Sequence, residues 1–177
     1  MMPPLPPLPT GPTRGSHFTV GSDFAGLNIP VLALHMCGLG RFFTETFASD
    51  KHPPCQRMIT EHFPGIEIMY GDVADRKVEK MKQVDLYFST FPCQPFSYAG
   101  RQLGENDPRG RLVHKSLEYV QRHRPRIVIL ENVASLYFKF RALYDEILDT
   151  LVGLGSRVVC HGLLGSGLQT SVFGHQI

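Results

Sequence analysis

Val84-Asp85-Leu86-Tyr87-Phe88-Ser89 leads directly into Thr90-Phe91-Pro92-Cys93-Gln94-Pro95-Phe96-Ser97. The first six residues read as a β-strand. The prolines that flank Cys93-Gln94 then stiffen the backbone at the strand's carboxyl end and hold the cysteine off the sheet. The chain continues from Tyr98-Ala99-Gly100 through Arg101 to Pro108 and reaches Arg109 before a helix begins. A connection of that length inside a compact domain has the character of a lid.

Working outward, short β-rich runs alternate with helical ones. Upstream, Phe18-Thr19-Val20 reads as a first strand and Val31 to Met36 as the helix after it. Thr44 to Ala48 reads as a second strand, followed by a helix opening at Pro53-Pro54, where proline suits a first turn. Ile66 to Tyr70 is a third strand, which makes the Val84–Ser89 run the fourth. Downstream, Leu112 to Gln121 reads as a helix and Arg126-Ile127-Val128-Ile129-Leu130 as a buried strand. Ala142 to Leu151 reads as an amphipathic helix, and Ser156-Arg157-Val158-Val159 starts one more strand. This alternation predicts an α/β fold with a doubly wound, mostly parallel sheet. Ligands of such sheets sit beyond the carboxyl ends of the strands, so the loops there are the ones to search.

Composition narrows the classes. With 177 residues, 42% hydrophobic and 19% charged, the chain has the profile of a globular domain rather than a disordered one. A formal net charge of +2 does not announce a nucleic-acid binder. Any phosphate-binding surface has to be local, and the run Arg122-His123-Arg124-Pro125-Arg126 reads either as such a patch or as a solvated helix end. Cys37, Cys55, Cys93 and Cys160 form neither a CxxC pair nor a His/Cys cluster at zinc-ligand spacing, so no metal is expected. A reducing, intracellular setting follows from that cysteine usage, nuclear if the source is eukaryotic. No apolar run reaches the roughly 18 residues of a membrane span. Residues 1–16, opening Met1-Met2-Pro3-Pro4-Leu5-Pro6-Pro7, read as a disordered proline-rich tail, and residues 17–177 as the domain.

Three stretches carry a resemblance. Pro92-Cys93-Gln94-Pro95-Phe96-Ser97 with Gly100 resembles the catalytic motif of cytosine-5 DNA methyltransferases. Asp107-Pro108-Arg109-Gly110, followed by Leu112, is similar to the end of that family's mobile loop, and Glu131-Asn132-Val133 looks like its second catalytic motif. They occur in the family's order. A second PCQ, at Pro54-Cys55-Gln56, lies at a helix start without the following Pro-Phe-Ser, and reads as packing or surface.

The resemblance implies a Rossmann-like S-adenosylmethionine-dependent fold and the transfer of a methyl group to carbon 5 of cytosine. Cys93 is then the nucleophile that adds to carbon 6 of the base. Protonated Glu131 hydrogen-bonds the N3 side of the ring and stabilises the charge that develops. A base stacked in duplex DNA must first be flipped out. Gln94, Ser97, Arg109 and Asn132 are the implied substrate contacts, and Ser97 within PCQPFS favours DNA over transfer RNA, the alternative substrate.

For S-adenosylmethionine the resemblance implies contacts at Phe24, Ala25 and Gly26, within Asp23-Phe24-Ala25-Gly26-Leu27 after the first strand. Asp50 is implied to grip the ribose hydroxyls, with Lys51 at a position where the family often stacks an apolar side chain. Asp72, with Val73, is implied to read the adenine amino group, and Pro92 and Leu112 complete the set. Asn28 and Ile29 stand where the family usually has further glycines.

The resemblance spans about Phe18 to Leu164. Beyond it the family continues with a Gln-x-Arg-x-Arg stretch, a target-recognition region and a returning helix. Gln169 has no arginine at either following motif position. The chain is therefore expected to be a partial catalytic core. Weak DNA binding and little turnover alone are expected of it, with a partner chain supplying recognition or with activity lost altogether.

Overall fold

The computed structural model describes residues 17–155, 158–164 and 167–173; of the last two spans it describes the backbone alone. The expected tail 1–16 and the start of the last expected strand at Ser156-Arg157 lie outside the described residues.

Five strands form one sheet: β1 (Phe18–Asp23), β2 (Phe43–Ser49), β3 (Ile68–Tyr70), β4 (Leu86–Ser89) and β5 (Ile127–Leu130). Their order is β3-β2-β1-β4-β5, and all four pairings are parallel. Helices α1 (Ile29–Met36), α2 (Pro53–His62) and α3 (Val113–His123) provide crossovers, and α4 (Ser135–Lys139) and α5 (Arg141–Gly153) follow β5. The sheet is the expected doubly wound parallel one. Strands β6 (Val158–Leu164) and β7 (Gly167–Phe173) pair with each other in a separate antiparallel ladder. Val158-Val159, expected within one more strand, open β6, which pairs with β7 and not with the five-stranded sheet.

Both faces of the sheet carry core. On one side Tyr87, Phe91, Phe96, Leu117, Val120, Leu143, Ile147 and Leu151 form the largest cluster. The inward positions 143, 147 and 151 recur every four residues, as α5 requires to keep one face on the sheet. On the other side Val31 of α1 packs with Val20, Phe43, Leu86 and Phe88.

β5 was expected to be buried, but it is not. Val128 and Leu130 pack against the larger cluster, while Ile127 and Ile129 are 57% and 44% exposed. Their register partners on β4 are Leu86 and Phe88, which α1 covers. β5 lies one strand further out, and among the described residues nothing covers it on that face. A run of β-branched residues shows that a strand can be buried; it does not show that a neighbour is there to bury it.

The turn from β1 into α1 departs from ordinary backbone. Phe24, Gly26 and Asn28 have φ of 55°, 54° and 55°, the left-handed region. Asparagine tolerates that region best among residues with a side chain. This accounts for Asn28 standing where the resemblance expected glycine. The amide of Asn28 is fully buried: Nδ2 donates to Glu45 Oε1 at 2.6 Å and Oδ1 accepts from Ser22 Oγ at 3.1 Å.

Burial pushes the Glu45 carboxyl up to about 7, against a smaller downward pull from the Asn28 amide. A carboxyl raised in the folded state favours folding when protonated. Its contribution is complete below the unfolded value near 4.5 and is lost as pH rises through about 7. Over that window the loss amounts to roughly 3 kcal/mol, so Glu45→Gln is expected to flatten the pH dependence and raise stability at pH 8 by about 2–3 kcal/mol. Urea denaturation of both proteins at pH 5 and pH 8 measures this, and equal pH slopes would contradict it.

Candidate active site

The strand order reverses between β1 and β4, which opens a crevice at their carboxyl ends. A cleft of about 210 Å³ lies there, lined by Phe24, Asp50, Lys51, Asp72, Val73, Thr90, Pro92, Gln94 and Leu112. Seven of the nine residues expected around S-adenosylmethionine are among them. The other two support the cleft from behind: Ala25 is buried against Ala48 and Ile59, and the Gly26 N–H donates to Asp50 Oδ2 at 2.8 Å. Gln94, expected at the nucleic acid, lines this cleft as well. Thr90 was missed. It follows β4 directly, and its hydroxyl donates to the Phe24 carbonyl at 2.9 Å, holding the left-handed Phe24 in place.

The two carboxylates are partly used by the backbone. Asp50 Oδ1 accepts from the His52 N–H at 2.8 Å, and Asp72 Oδ1 from the Ala74 N–H at 2.9 Å. Each carboxylate has about four lone-pair sites, so both retain capacity toward a ligand. The lining suits a nucleoside: acceptors for hydroxyls and an exocyclic amine, with Phe24, Val73 and Leu112 as apolar walls.

Beneath the cleft lies a buried polar cluster that sequence reading missed. Asp23, the last residue of β1, accepts from the Arg76 guanidinium, the Ser49 hydroxyl and the Tyr87 hydroxyl. The Arg76 and Asp23 side chains are 6% and 0% exposed. Burial pulls the Arg76 guanidinium down, and the adjoining Asp23 charge more than restores it, leaving it above the usual value. Burial also pushes the Tyr87 hydroxyl well above its ordinary range, with the Asp23 charge adding to the effect. Asp23 adjoins Phe24, Ser49 adjoins Asp50, and Arg76 follows Asp72 in the loop after β3. One ion pair thus ties together the three loops that carry the cleft's apolar and acidic lining.

Cys93 and Glu131 follow neighbouring parallel strands and share the sheet's carboxyl edge. Cys93 is half-buried in a tight turn, its carbonyl accepting from the Phe96 and Ser97 N–H groups at 2.9 Å each. Glu131 is exposed, its N–H donating to the Ser89 carbonyl at 3.0 Å. Two side chains fasten the loops together. Asn132 Nδ2 donates to the Phe91 carbonyl at 2.9 Å, and the buried Ser135 Oγ to the Phe96 carbonyl at 2.6 Å. Asn132 Oδ1 accepts from the Val133 N–H at 2.9 Å, so its amide is engaged at both atoms within the protein.

The loop beyond Cys93 is ordered by short 3₁₀ turns at Gly104–Asn106 and Pro108–Leu112. Gly110 packs so closely that a Cβ there would lie 2.1 Å from the Gly104 carbonyl oxygen, which explains the glycine of DPRG. Arg109 is exposed and its guanidinium is paired with Asp107 at 2.7 Å. Hydrogen bonds from the Arg109 side chain and backbone hold the Asp107 carboxyl down at about 2.

Cys55 sits in the first turn of α2, away from this loop pair. Burial and then the nearby Asp50 charge push its thiol up, which disfavours the thiolate. The basic run 122–126 is a helix end at the opposite edge of the sheet. Arg124 caps α3 and donates to the Leu154 carbonyl at 3.1 Å, and Arg126 faces Asp85 at the start of β4. Among the described residues no cluster of His, Cys, Asp and Glu has metal-binding geometry, and no helix is long and apolar enough to cross a membrane.

The family model of C-5 cytosine-specific DNA methylases matches residues 18–164. A type II methyltransferase of Neisseria lactamica, M.NlaIV, is 32% identical over 117 residues, which cover 62% of this chain and 27% of that protein. M.HpaII of Haemophilus parainfluenzae is 31% identical over 129 residues, covering 72% of this chain and 34% of the relative. The chain thus spans about a quarter to a third of the length of these relatives. Among solved structures, the Dnmt2 methyltransferase of S. pombe superposes with a TM-score of 0.62 at 18% identity, covering 84% of this chain and 45% of that one. At that identity the likeness is one of fold.

Proposed function

The chain belongs to the C-5 cytosine-specific DNA methylase family, and on that footing we propose that it carries the methyl-transfer centre of an enzyme acting on cytosine in DNA. The observation that carries this reading is the fastening of the Cys93 turn to the Glu131 turn beside a nucleoside-shaped cleft. That cleft would hold S-adenosylmethionine, which when bound would supply an electrophilic methyl group. Asp50 would accept from its ribose hydroxyls and Asp72 from its adenine amine, with Phe24 and Leu112 as apolar walls.

The chain's own residues do the rest. The Cys93 sulfur adds to carbon 6 of the flipped cytosine, forming an S–C bond and passing the ring's electrons to carbon 5. Glu131 holds a proton at the N3 side and stabilises the charge as it develops. Once carbon 5 carries its methyl group, water takes the carbon-5 proton, the C–H electron pair restores the C5=C6 bond, and the S–C6 bond breaks with its electrons on sulfur, regenerating the thiolate. Gln94, Ser97 and Arg109, which share the Cys93 loop, are the candidates to contact the strand. Asn132 positions that loop through the Phe91 carbonyl.

Calorimetry with S-adenosylmethionine tests the cleft. Asp50→Ala and Asp72→Ala are each expected to weaken binding by about 1–3 kcal/mol, the cost of leaving ligand donors unpaired. Unchanged affinity in both, with circular dichroism intact, would remove the assignment. Parallel labelled-methyl assays on duplex DNA and transfer RNA test the substrate. Transfer confined to RNA would overturn the DNA reading.

A further inference from the structure

We propose that Tyr98, Tyr137, Phe138 and Lys139 form a stacking platform for unpaired nucleotides of DNA beside the target cytosine, an inference that rests on the methylase reading. Tyr98 lies in the Cys93 loop, and the other three lie on α4, just after the Glu131 turn. The buried Ser135 Oγ anchors α4 to the Phe96 carbonyl, so both contributors belong to the same edge of the sheet. Tyr98 is 64% exposed, Tyr137 41% and Phe138 53%. Three large aromatic side chains this open, one on the Cys93 loop and two on α4, invite a planar partner.

Cations accompany the rings. Lys139 Nζ stands 4.7 Å from the Tyr98 ring centroid, held there by Gln102 Oε1 at 2.8 Å. The Arg141 guanidinium stands 4.8 Å from the Tyr137 centroid and is also bound to Asp145. Tyr137 packs edge-on to Phe138 and to Tyr144, with centroids 5.0 Å apart in each pair, which fixes its orientation. Exposed aromatics interleaved with Lys and Arg are the recurring means of holding unpaired bases: rings stack on the bases and cations meet the phosphates. An apolar protein partner would match the rings but not the charges beside them. Extruding one base leaves its neighbours partly unstacked, and such bases are the platform's natural occupants.

Fluorescence anisotropy with the full chain and a short single-stranded DNA containing one cytosine tests this, with the same sequence as a duplex for comparison. Tyr137→Leu/Phe138→Leu keeps apolar area but removes the stacking faces. It is expected to weaken single-strand binding about tenfold or more, while Tyr137→Phe stays close to wild type. Photo-cross-linking of 5-iododeoxyuridine placed next to the cytosine is expected to label Tyr98, Tyr137 or Phe138. Equal affinity of the leucine variant, or cross-links confined to other surfaces, overturns the platform. So does binding of RNA with none of DNA. Covalent capture of 5-fluorocytosine in duplex DNA by Cys93, with S-adenosylmethionine and the chain extended by the carboxyl-terminal region of a matched relative, separates the two readings. Capture with an unaffected leucine variant sinks the platform alone; absence of capture by the extended chimera with Cys93 intact sinks the methylase reading.

Discussion

Arg76→Met is expected to lower folding stability by about 3–5 kcal/mol, because it strands the Asp23 carboxylate in the interior without its countercharge. Both side chains are essentially sealed from solvent. The remaining partners, the Ser49 and Tyr87 hydroxyls, can donate hydrogen bonds but cannot neutralise the charge. The double variant Asp23→Asn/Arg76→Met removes both charges and is expected to recover most of the loss, since an apolar or neutral substitute for a whole buried pair is often tolerated. Chemical denaturation of the three proteins measures this. A single-variant loss under about 1 kcal/mol would mean that the pair is more solvated than its burial indicates. Because the pair joins the loops after β1, β2 and β3, the double variant is also expected to bind S-adenosylmethionine more weakly even where stability returns.

Cys93→Ser is expected to abolish methyl transfer, while Cys55→Ser leaves it unchanged. A hydroxyl is a much poorer nucleophile than a thiolate at neutral pH and a poorer leaving group when the adduct must break. Cys55 lies outside the fastened loop pair, and its thiol is pushed away from ionisation. Labelled-methyl transfer by a chimera extended with the carboxyl-terminal region of a matched relative, with denaturation midpoints recorded alongside, separates lost chemistry from lost fold.

Much of this arrangement is readable from the chain because short-range signals specify it. The proline-bounded Cys93 turn, the Pro53-Pro54 helix start and the alternation of strands and helices each rest on residues adjacent in sequence. The acids after successive strands were legible for a similar reason, since parallel strands bring their carboxyl ends to one edge. What escaped were partnerships between distant residues. Nothing in Ala74-Asp75-Arg76-Lys77 marks Arg76 as buried; it is so because Asp23 awaits it from another strand. Asn28 in place of glycine suggests a defect until its left-handed φ and its bond to Glu45 are seen. β5 reads as buried because residue type cannot report the absence of a neighbour. Nothing near Asn132 in the sequence announces that its amide fastens the Phe91 carbonyl, 41 residues away.

The most direct test of the central claim is covalent capture on duplex DNA containing 5-fluorocytosine, in the presence of S-adenosylmethionine, by the chain extended with the carboxyl-terminal region of a matched relative. Fluorine at carbon 5 cannot leave as a cation, so the S–C6 bond persists after methyl transfer and survives denaturing electrophoresis. Peptide mass spectrometry is then expected to place the adduct on the peptide containing Pro92-Cys93-Gln94, with none formed by Cys93→Ser. An adduct that persists in Cys93→Ser and disappears in Cys55→Ser would contradict the account.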